Sequence, residues 1–340
     1  MRKLRVLALM HHYLVPPDDT SGHNLAEAEW KTELDVTSAL EKIGHDVRKV
    51  GVGDDLGVIR TAVNEWNPHV VFNLMESFHE VAVFDQHVVS YLELLRVPYT
   101  GCNPRGLMLS RDKTLSKTLL ACHRVPVPDS VLFRVGRAVA RPKRLAFPLI
   151  VKSRTQDASI GISQASVVTD DEKLRERVRF VHESIGTDAV VEQYIEGREL
   201  YVGLLGDQRL TVFPVWEMRF PNMADRARCI STERVKWNSN YQKKHGITTG
   251  PAESLPEGTA VTIQRLCKRV YRVLDLSGYA RIDLRLGPDG RVWVLEANAN
   301  PQLACGEDFA ESAEASGLSY EALLQRILSI GLRWRPERLG

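Results

Sequence analysis

Arg281-Ile282-Asp283, followed by Leu295-Glu296-Ala297-Asn298-Ala299-Asn300-Pro301, is the stretch on which the reading of this chain turns. Tyr279–Leu286 and Val292–Ala297 have the composition of two strands, and Gly287-Pro288-Asp289-Gly290 between them is a turn. Side chains alternate across a strand. Arg281 and Asp283 therefore share one face, as do Glu296 and Asn298. A hairpin brings these polar faces together, with Ile282, Leu284, Val294 and Leu295 as its apolar positions. Two carboxylates and an amide oxygen make a hard oxygen site, suited to Mg²⁺ that keeps waters and phosphate oxygens as its other ligands. The same residues also suit the solvated face of a two-sided hairpin, so the rest of the chain must decide.

Upstream, residues 1–105 alternate strand and helix. Leu4–Met10, Asp46–Val52 and Val70–Leu74 read as strands, and Glu27–Ile43, Val58–Trp66 and Phe84–Leu95 as helices. That alternation predicts right-handed parallel crossovers in a small open α/β domain. Residues 106–198 change pattern. A helix at Arg111–His123, strands at Phe147–Lys152 and Ile160–Val168, a helix at Asp171–Ile185 and a strand at Ala189–Tyr194 predict an α+β lobe. Residues 199–340 form a third unit, richer in strands. Leu200–Leu205 and Thr211–Val215 flank a turn at Gly206-Asp207, Thr259–Leu274 is a helix, and Glu311–Leu332 supplies terminal helices. The polar, basic segment 219–250 reads as one long irregular loop, and such loops are usually functional.

Two further groups of residues carry chemistry. Lys113 opens a helix, and Lys152 ends the apolar strand Phe147–Lys152, where a lysine points into a cleft as a charge for phosphate. Ser159-Ile160-Gly161 follows, a small-residue loop able to offer backbone N–H groups to phosphates. In Val190-Val191-Glu192-Gln193-Tyr194-Ile195-Glu196-Gly197-Arg198-Glu199, an apolar strand ends in a carboxylate, turns, and meets a second carboxylate. Such a linker can offer backbone groups to an adenine edge and Glu199 to ribose hydroxyls; taken alone, it reads more simply as a solvated hinge with charged residues.

In this order the features resemble the ATP-grasp superfamily, and within it the D-alanine–D-alanine ligase-like carboxylate–amine ligases. The resemblance runs through Pro68–Leu74, Leu92–Gly101, Asp112-Lys113 with Lys117, Phe147–Lys152, Glu192–Glu199, Arg281–Asp283 and Glu296–Pro301. It implies an ATP-grasp fold, α/β and α+β, with an N-terminal parallel-sheet domain and two lobes enclosing ATP. It implies that Lys113, Lys152 and Ser159 meet the ATP phosphates, that Glu192 and Ile195 line the adenine pocket, and that Glu199 binds ribose. Lys236 is similar to the family's mobile-loop lysine. Asp283, Glu296 and Asn298 would hold two Mg²⁺, for which Mn²⁺ substitutes, and Arg281, with Lys152 and Lys236, would neutralise the charge of an acylphosphate. The implied reaction joins a small carboxylate to an amine, and family habit implies a homodimer.

The sequence departs from that family where the substrates bind. Met10-His11-His12-Tyr13-Leu14-Val15-Pro16-Pro17 replaces the family's Gly-Gly-x-Ser-x-Glu motif, whose glutamate grips an ammonium. Glu27, Glu29 and Glu33 remain candidates for that role. The tyrosine and serine that support the glutamate are matched by Trp237 and Ala158, and Pro-Gly becomes Pro301-Gln302. The serine that binds the acceptor's carboxylate falls near Glu307, and a carboxylate there repels another; Glu307 and Asp308 equally suit solvated charges at the N-terminus of the final helix. His11, His12, His23, Glu76 and His79 lie after the first and third strands, where open α/β sheets place ligands. The expected substrate residues are thus His11, His12, Glu76, Trp237, Gln302 and Glu307, and the expected product is not chiefly D-alanyl-D-alanine. The alternatives are a D-alanine–D-alanine ligase proper, a phosphate-transfer or carboxylating enzyme, and a non-catalytic ATP-binding regulator. The intact set Lys152, Arg281, Asp283, Glu296 and Asn298 speaks against the last.

Composition agrees with a small-molecule enzyme. The chain has 340 residues, 44% hydrophobic, with 45 Lys+Arg against 43 Asp+Glu for a net charge of +2. A nucleic-acid binder is normally far more basic. No apolar run nears the roughly 18 residues of a membrane helix, and Met1–Met10 has too short an apolar stretch for a signal peptide. Cys102, Cys122, Cys229, Cys267 and Cys305 are scattered and odd in number, which fits a reducing cytoplasm.

Overall fold

The computed structural model describes residues 3–156, 161–222 and 230–334, with the side chains of Trp237 and Ser239 outside the description. The N-terminal unit holds β1 (Arg5–His11), α1 (Lys31–Lys42), β2 (Asp46–Val52), α2 (Gly57–Trp66), β3 (Val70–Asn73) and α3 (Asp85–Leu94). Its sheet is parallel, in the order β2-β1-β3. β1 and β3 are buried almost throughout, as befits strands covered on both faces. Two helices lead out of this unit, α4 (Pro104–Arg111) and α5 (Lys113–Cys122). The sequence pattern gives no helix at Pro104–Arg111 and starts the next one at Arg111. Asp112 is what separates the two helices: its extended backbone ends α4, while its side chain accepts the Thr114 and Leu115 amides as the N-cap of α5.

The central lobe holds β4 (Ser130–Phe133), β5 (Leu149–Ser153), β6 (Val167–Val168), α6 (Asp171–Phe180) and β7 (Ala189–Gln193), in an antiparallel sheet of order β4-β7-β5-β6. The strand expected over Ile160–Val168 shrinks to β6, because Gln164–Ser166 turns as a 3₁₀ segment closed by reciprocal Ser163 and Ser166 hydrogen bonds. The third unit holds β8 (Arg198–Leu205), β9 (Thr211–Val212), β10 (Trp216–Arg219), α7 (Glu233–Trp237), α8 (Ser239–His245), β11 (Thr248–Pro251), α9 (Thr259–Val273), β12 (Tyr279–Leu286), β13 (Val292–Ala299), α10 (Asp308–Glu314) and α11 (Tyr320–Gly331). Its sheet runs β11-β10-β8-β12-β13, with β9 on β8. The segment 219–250 is therefore not wholly irregular. Thr232 and Asn238 cap two short helices there, and β11 pairs with β10.

β12 is the centre of this sheet. Ile282 and Leu284 are fully buried against Ile263, Cys267 and Val270 of α9, and Leu200, Val202 and Leu204 of β8 join the same core. Burying aliphatic side chains of this kind contributes about 1.5–3 kcal/mol each. The opposite face of the sheet is thereby turned toward the central lobe. At the junction with the N-terminal unit, Gly101 and Gly278 both have positive φ, and the Cys102 amide donates to Asn300 Oδ1 at 2.7 Å. A Cβ on Gly278 would run into the Gly101 carbonyl. Gly278→Ala should therefore destabilise the protein by about 2 kcal/mol or more. Thermal melting checks this, and an unchanged melting temperature contradicts it.

Candidate active site

The β12–β13 pair is antiparallel, as the alternation predicts, with Arg281 opposite Asn298 and Asp283 opposite Glu296. The register then shifts, and Leu284 pairs with Val294. Leu295 is thus the extra residue of a β-bulge, a device that re-aims neighbouring side chains. The apolar run Val292-Trp293-Val294-Leu295 that precedes Glu296 gives no sign of it in the sequence.

On the polar face, Arg281 donates to both oxygens of Asp283 at 2.8 and 2.9 Å, and its guanidinium lies 4.7 Å from the Tyr201 ring centroid. Arg285 donates to Glu199 Oε2 at 2.7 Å and to the Gly197 carbonyl at 2.9 Å. The Tyr201 hydroxyl donates to Glu199 Oε1 at 2.9 Å. The Glu199 carboxylate is therefore already held from two sides. Sequence reasoning named neither Arg285 nor Tyr201. Their signal was available, since Arg281, Asp283 and Arg285 share one face of β12 and Tyr201 sits opposite Asp283 on β8.

The central lobe faces this sheet across a cleft whose lining includes Lys113, Lys152, Glu192, Ile195, Glu199, Lys236, Asp283 and Glu296. Lys113 and Lys117 are one helical turn apart on α5, and both are buried. Lys113 donates to the Gln156 carbonyl at 2.8 Å and lies 3.7 Å from Glu296. Glu192, 1% exposed, is flanked by Lys152 at 3.3 Å and Lys117 at 3.4 Å. Burial would raise its pKa, but Lys117 and Lys152 outweigh that and hold it below the ordinary carboxylate range. Burial likewise opposes ionisation of Glu296, yet Lys113, Lys152, Lys236 and Arg281 hold it low. Across the strand pair, burial pushes the Asp283 carboxyl up, with Glu296 adding repulsion against the pull of Arg281.

The other expected site residues are placed as follows. Lys236 sits in α7, which Gln242 anchors by donating to the Val235 carbonyl at 2.8 Å. Trp237 ends that helix. Ser159 lies outside the described residues. His11, His12, Glu76, Gln302 and Glu307 do not line the cleft between the lobes. His11 is buried at the end of β1, its Nε2 hydrogen-bonded to Ser77 Oγ at 2.7 Å and its Nδ1 without a partner. Burial and neighbouring His12 lower its pKa. His12 is exposed, Gln302 reaches Thr32, and Glu307 stands exposed just before α10. Of the three glutamates weighed for the ammonium role, Glu27 and Glu29 are exposed, while Glu33 is 4% exposed with Oε2 unpartnered.

The donor set fits a hard cation. Asp283 and Glu296 face each other, and Asn298, on the same face of β13, has a buried Nδ2 without a partner, so its amide is not anchored through that nitrogen. Among the described residues there is no cluster of three His, Cys, Asp or Glu side chains, so phosphate oxygens and water would have to complete any coordination shell.

A family model described as D-ala D-ala ligase C-terminus matches residues 125–329. A protein of Sinorhizobium fredii named uncharacterized protein y4sG is 32% identical over 88% of this chain and 86% of its own length. The D-alanine–D-alanine ligase of Desulforudis audaxviator is 30% identical over 87% of this chain and 90% of its own. The fold is that of the Bacillus anthracis D-alanine–D-alanine ligase solved with ATP, at a TM-score of 0.75 and 21% identity, covering 99% of this chain and 100% of that one.

Burial pushes the Glu33 carboxyl from its ordinary 4.5 up to about 7, with Glu76 adding repulsion. Its folded-state pKa exceeds its unfolded value, so folding takes up a proton between those values. Its stabilising contribution is full below about 4.5 and is lost as pH rises toward 7. Glu33→Gln should therefore gain stability relative to the parent across that window, by up to about 3 kcal/mol above it. Thermal melts from pH 5 to 8 check this, and a difference independent of pH contradicts it.

Proposed function

The chain belongs to the D-alanine–D-alanine ligase family of ATP-grasp ligases, and from that premise we propose that it activates a small carboxylate with ATP and transfers the acyl group to an amine other than D-alanine. ATP-dependent formation of a carbon–nitrogen bond is the activity of the family. The observation that carries the carboxylate activation is the convergence of Lys113, Lys152, Lys236 and Arg281 on the Asp283–Glu296 pair.

In this reading Glu192 and Ile195 line the adenine pocket and Glu199, fixed by Arg285 and Tyr201, meets the ribose. Lys113, Lys152 and Lys236 meet the phosphates. Asp283, Glu296 and Asn298 would hold Mg²⁺, which when bound would neutralise phosphate charge. The substrate carboxylate attacks the γ-phosphorus and ADP leaves. The resulting acylphosphate is attacked by an amine nitrogen, the amide forms, phosphate departs and the amine loses a proton. Negatively charged groups must meet in the first step, and fixed cations lower its barrier because they need no reorganisation. Arg281, now paired with Asp283, is placed to turn toward that charge. Water would hydrolyse the acylphosphate, so α7 with Lys236 serves as cover.

Two features support a departure from D-alanine. Glu33 offers a buried, unpartnered carboxylate oxygen for a substrate ammonium, without the supporting tyrosine and serine of the family pattern. Glu307 and Asp308 act on Arg281 from the start of α10, so the acceptor side is acidic and favours an amine without a carboxylate. The names of the relatives favour a second reading, a D-alanine–D-alanine ligase proper.

The test is an ADP-release screen over pairs of carboxylates and amines, with mass spectrometry of the products. One pair should release ADP with an amide product, and D-alanine alone should fall short of it. Glu296→Gln should lower the rate by about 100-fold or more. Fast D-alanine-dependent turnover contradicts the substrate reading, and ATP binding without ADP release for any pair favours a regulator.

A further inference from the structure

Lys117 lies behind the cleft and not in its lining. It is 3% exposed on α5, and its ammonium touches both ATP-grasp lobes. On one side it pairs with Glu192 at the end of β7, at 3.4 Å. On the other it donates to the Leu295 carbonyl of β13, at 2.7 Å. Leu295 is the bulge residue, whose backbone groups stand outside the ladder with β12. A carbonyl at such a position needs a donor from elsewhere when it is buried, and Lys117 supplies it immediately before Glu296.

We propose that Lys117 is a positioning residue: by clamping the Leu295 carbonyl to Glu192 it fixes the bulge that aims Glu296 at the Asp283 side of the cleft, and so sets the site's affinity for a nucleotide-bound divalent cation. The bulge explains why a clamp is needed. Were the pairing of Leu284 with Val294 to continue unshifted, Leu295 would fall opposite Asp283 and Glu296 opposite Ile282, on the apolar face of the strand pair. A main-chain carbonyl held by an ammonium on a neighbouring helix pins the register at the residue where it changes. The same ammonium balances Glu192, which leaves Lys152 free to face the cleft. Lys152 has the Glu192 pairing on one side and the cleft on the other.

The inference rests on the reading of Asp283, Glu296 and Asn298 as a Mg²⁺ site, and the experiment separates the two. Calorimetric titration of ADP into the full-length protein, with and without Mg²⁺, needs no knowledge of the substrates. Mg²⁺ should tighten ADP binding to the parent protein. In Lys117→Met, a substitution of similar length, that tightening should shrink by about tenfold or more, the usual effect of losing a group that orients a metal ligand. Metal-free ADP binding should change less. Lys117→Met combined with Glu192→Gln removes the carboxylate charge that the single variant strands, with Lys152 still in the field of Glu296, yet it should keep the Mg²⁺ defect, since the Leu295 carbonyl still lacks its donor. A Lys117→Met protein with parental Mg²⁺ enhancement overturns the proposal, as does full restoration in the double variant. Failure of both variants to fold also overturns it, because Lys117 would then be a core residue with no specific role at the site. A parent protein whose ADP affinity ignores Mg²⁺ overturns the metal reading and this inference together.

Discussion

Two carboxylates face each other across neighbouring strands, and much of the site is arranged to make that tolerable. Asp283 and Glu296 are cross-strand partners on a half-buried face. Like charges at that spacing repel by a few kcal/mol at the effective dielectric of such a place. Each is compensated differently. Asp283 is held by Arg281 from its own strand, and Glu296 sits in the field of Lys113, Lys152 and Lys236, which arrive from α5, β5 and α7. The central lobe and the loop helix thus bring positive charge to a negative pair that β12 and β13 present. A nucleotide polyphosphate with its divalent cations fits such an arrangement, because it supplies anions to the lysines and cations to the carboxylates at once.

The fold that supports this was legible where burial enforces a simple pattern. β2 has the bounds the alternation gives, and β12 runs over Tyr279–Leu286 as read, because each of these strands is set by regular side-chain patterning between clear turn signals. Legibility fails where side chains, not periodicity, set the backbone. Asp112 divides two helices with one cap, and Ser163 with Ser166 converts an expected strand into a turn. The helices of 219–250 are short and capped by Thr232 and Asn238, so no apolar period announces them.

The site divides in the same way. The residues that face the cleft carry strong local signals: a lysine ending an apolar strand, carboxylates on a hairpin face. Those that hold them do not. Arg285 fixes Glu199 across a strand pair, and Lys117 reaches from a helix to strands of two sheets. Such partners are adjacent only after folding. On the substrate side the structure adds one discrimination the sequence left open, burying Glu33 while exposing Glu27 and Glu29. His11, buried at the end of β1 and held by Ser77, puts an imidazole at that end of the β-sheet.

The central claim is that this arrangement of charges activates a carboxylate as its acylphosphate, a mixed anhydride. Isotope transfer tests it most directly. A carboxylate substrate labelled with ¹⁸O in its carboxyl group should, on turnover with ATP and the accepting amine, deliver one ¹⁸O to the released inorganic phosphate. Turnover that yields amide and unlabelled phosphate would contradict it.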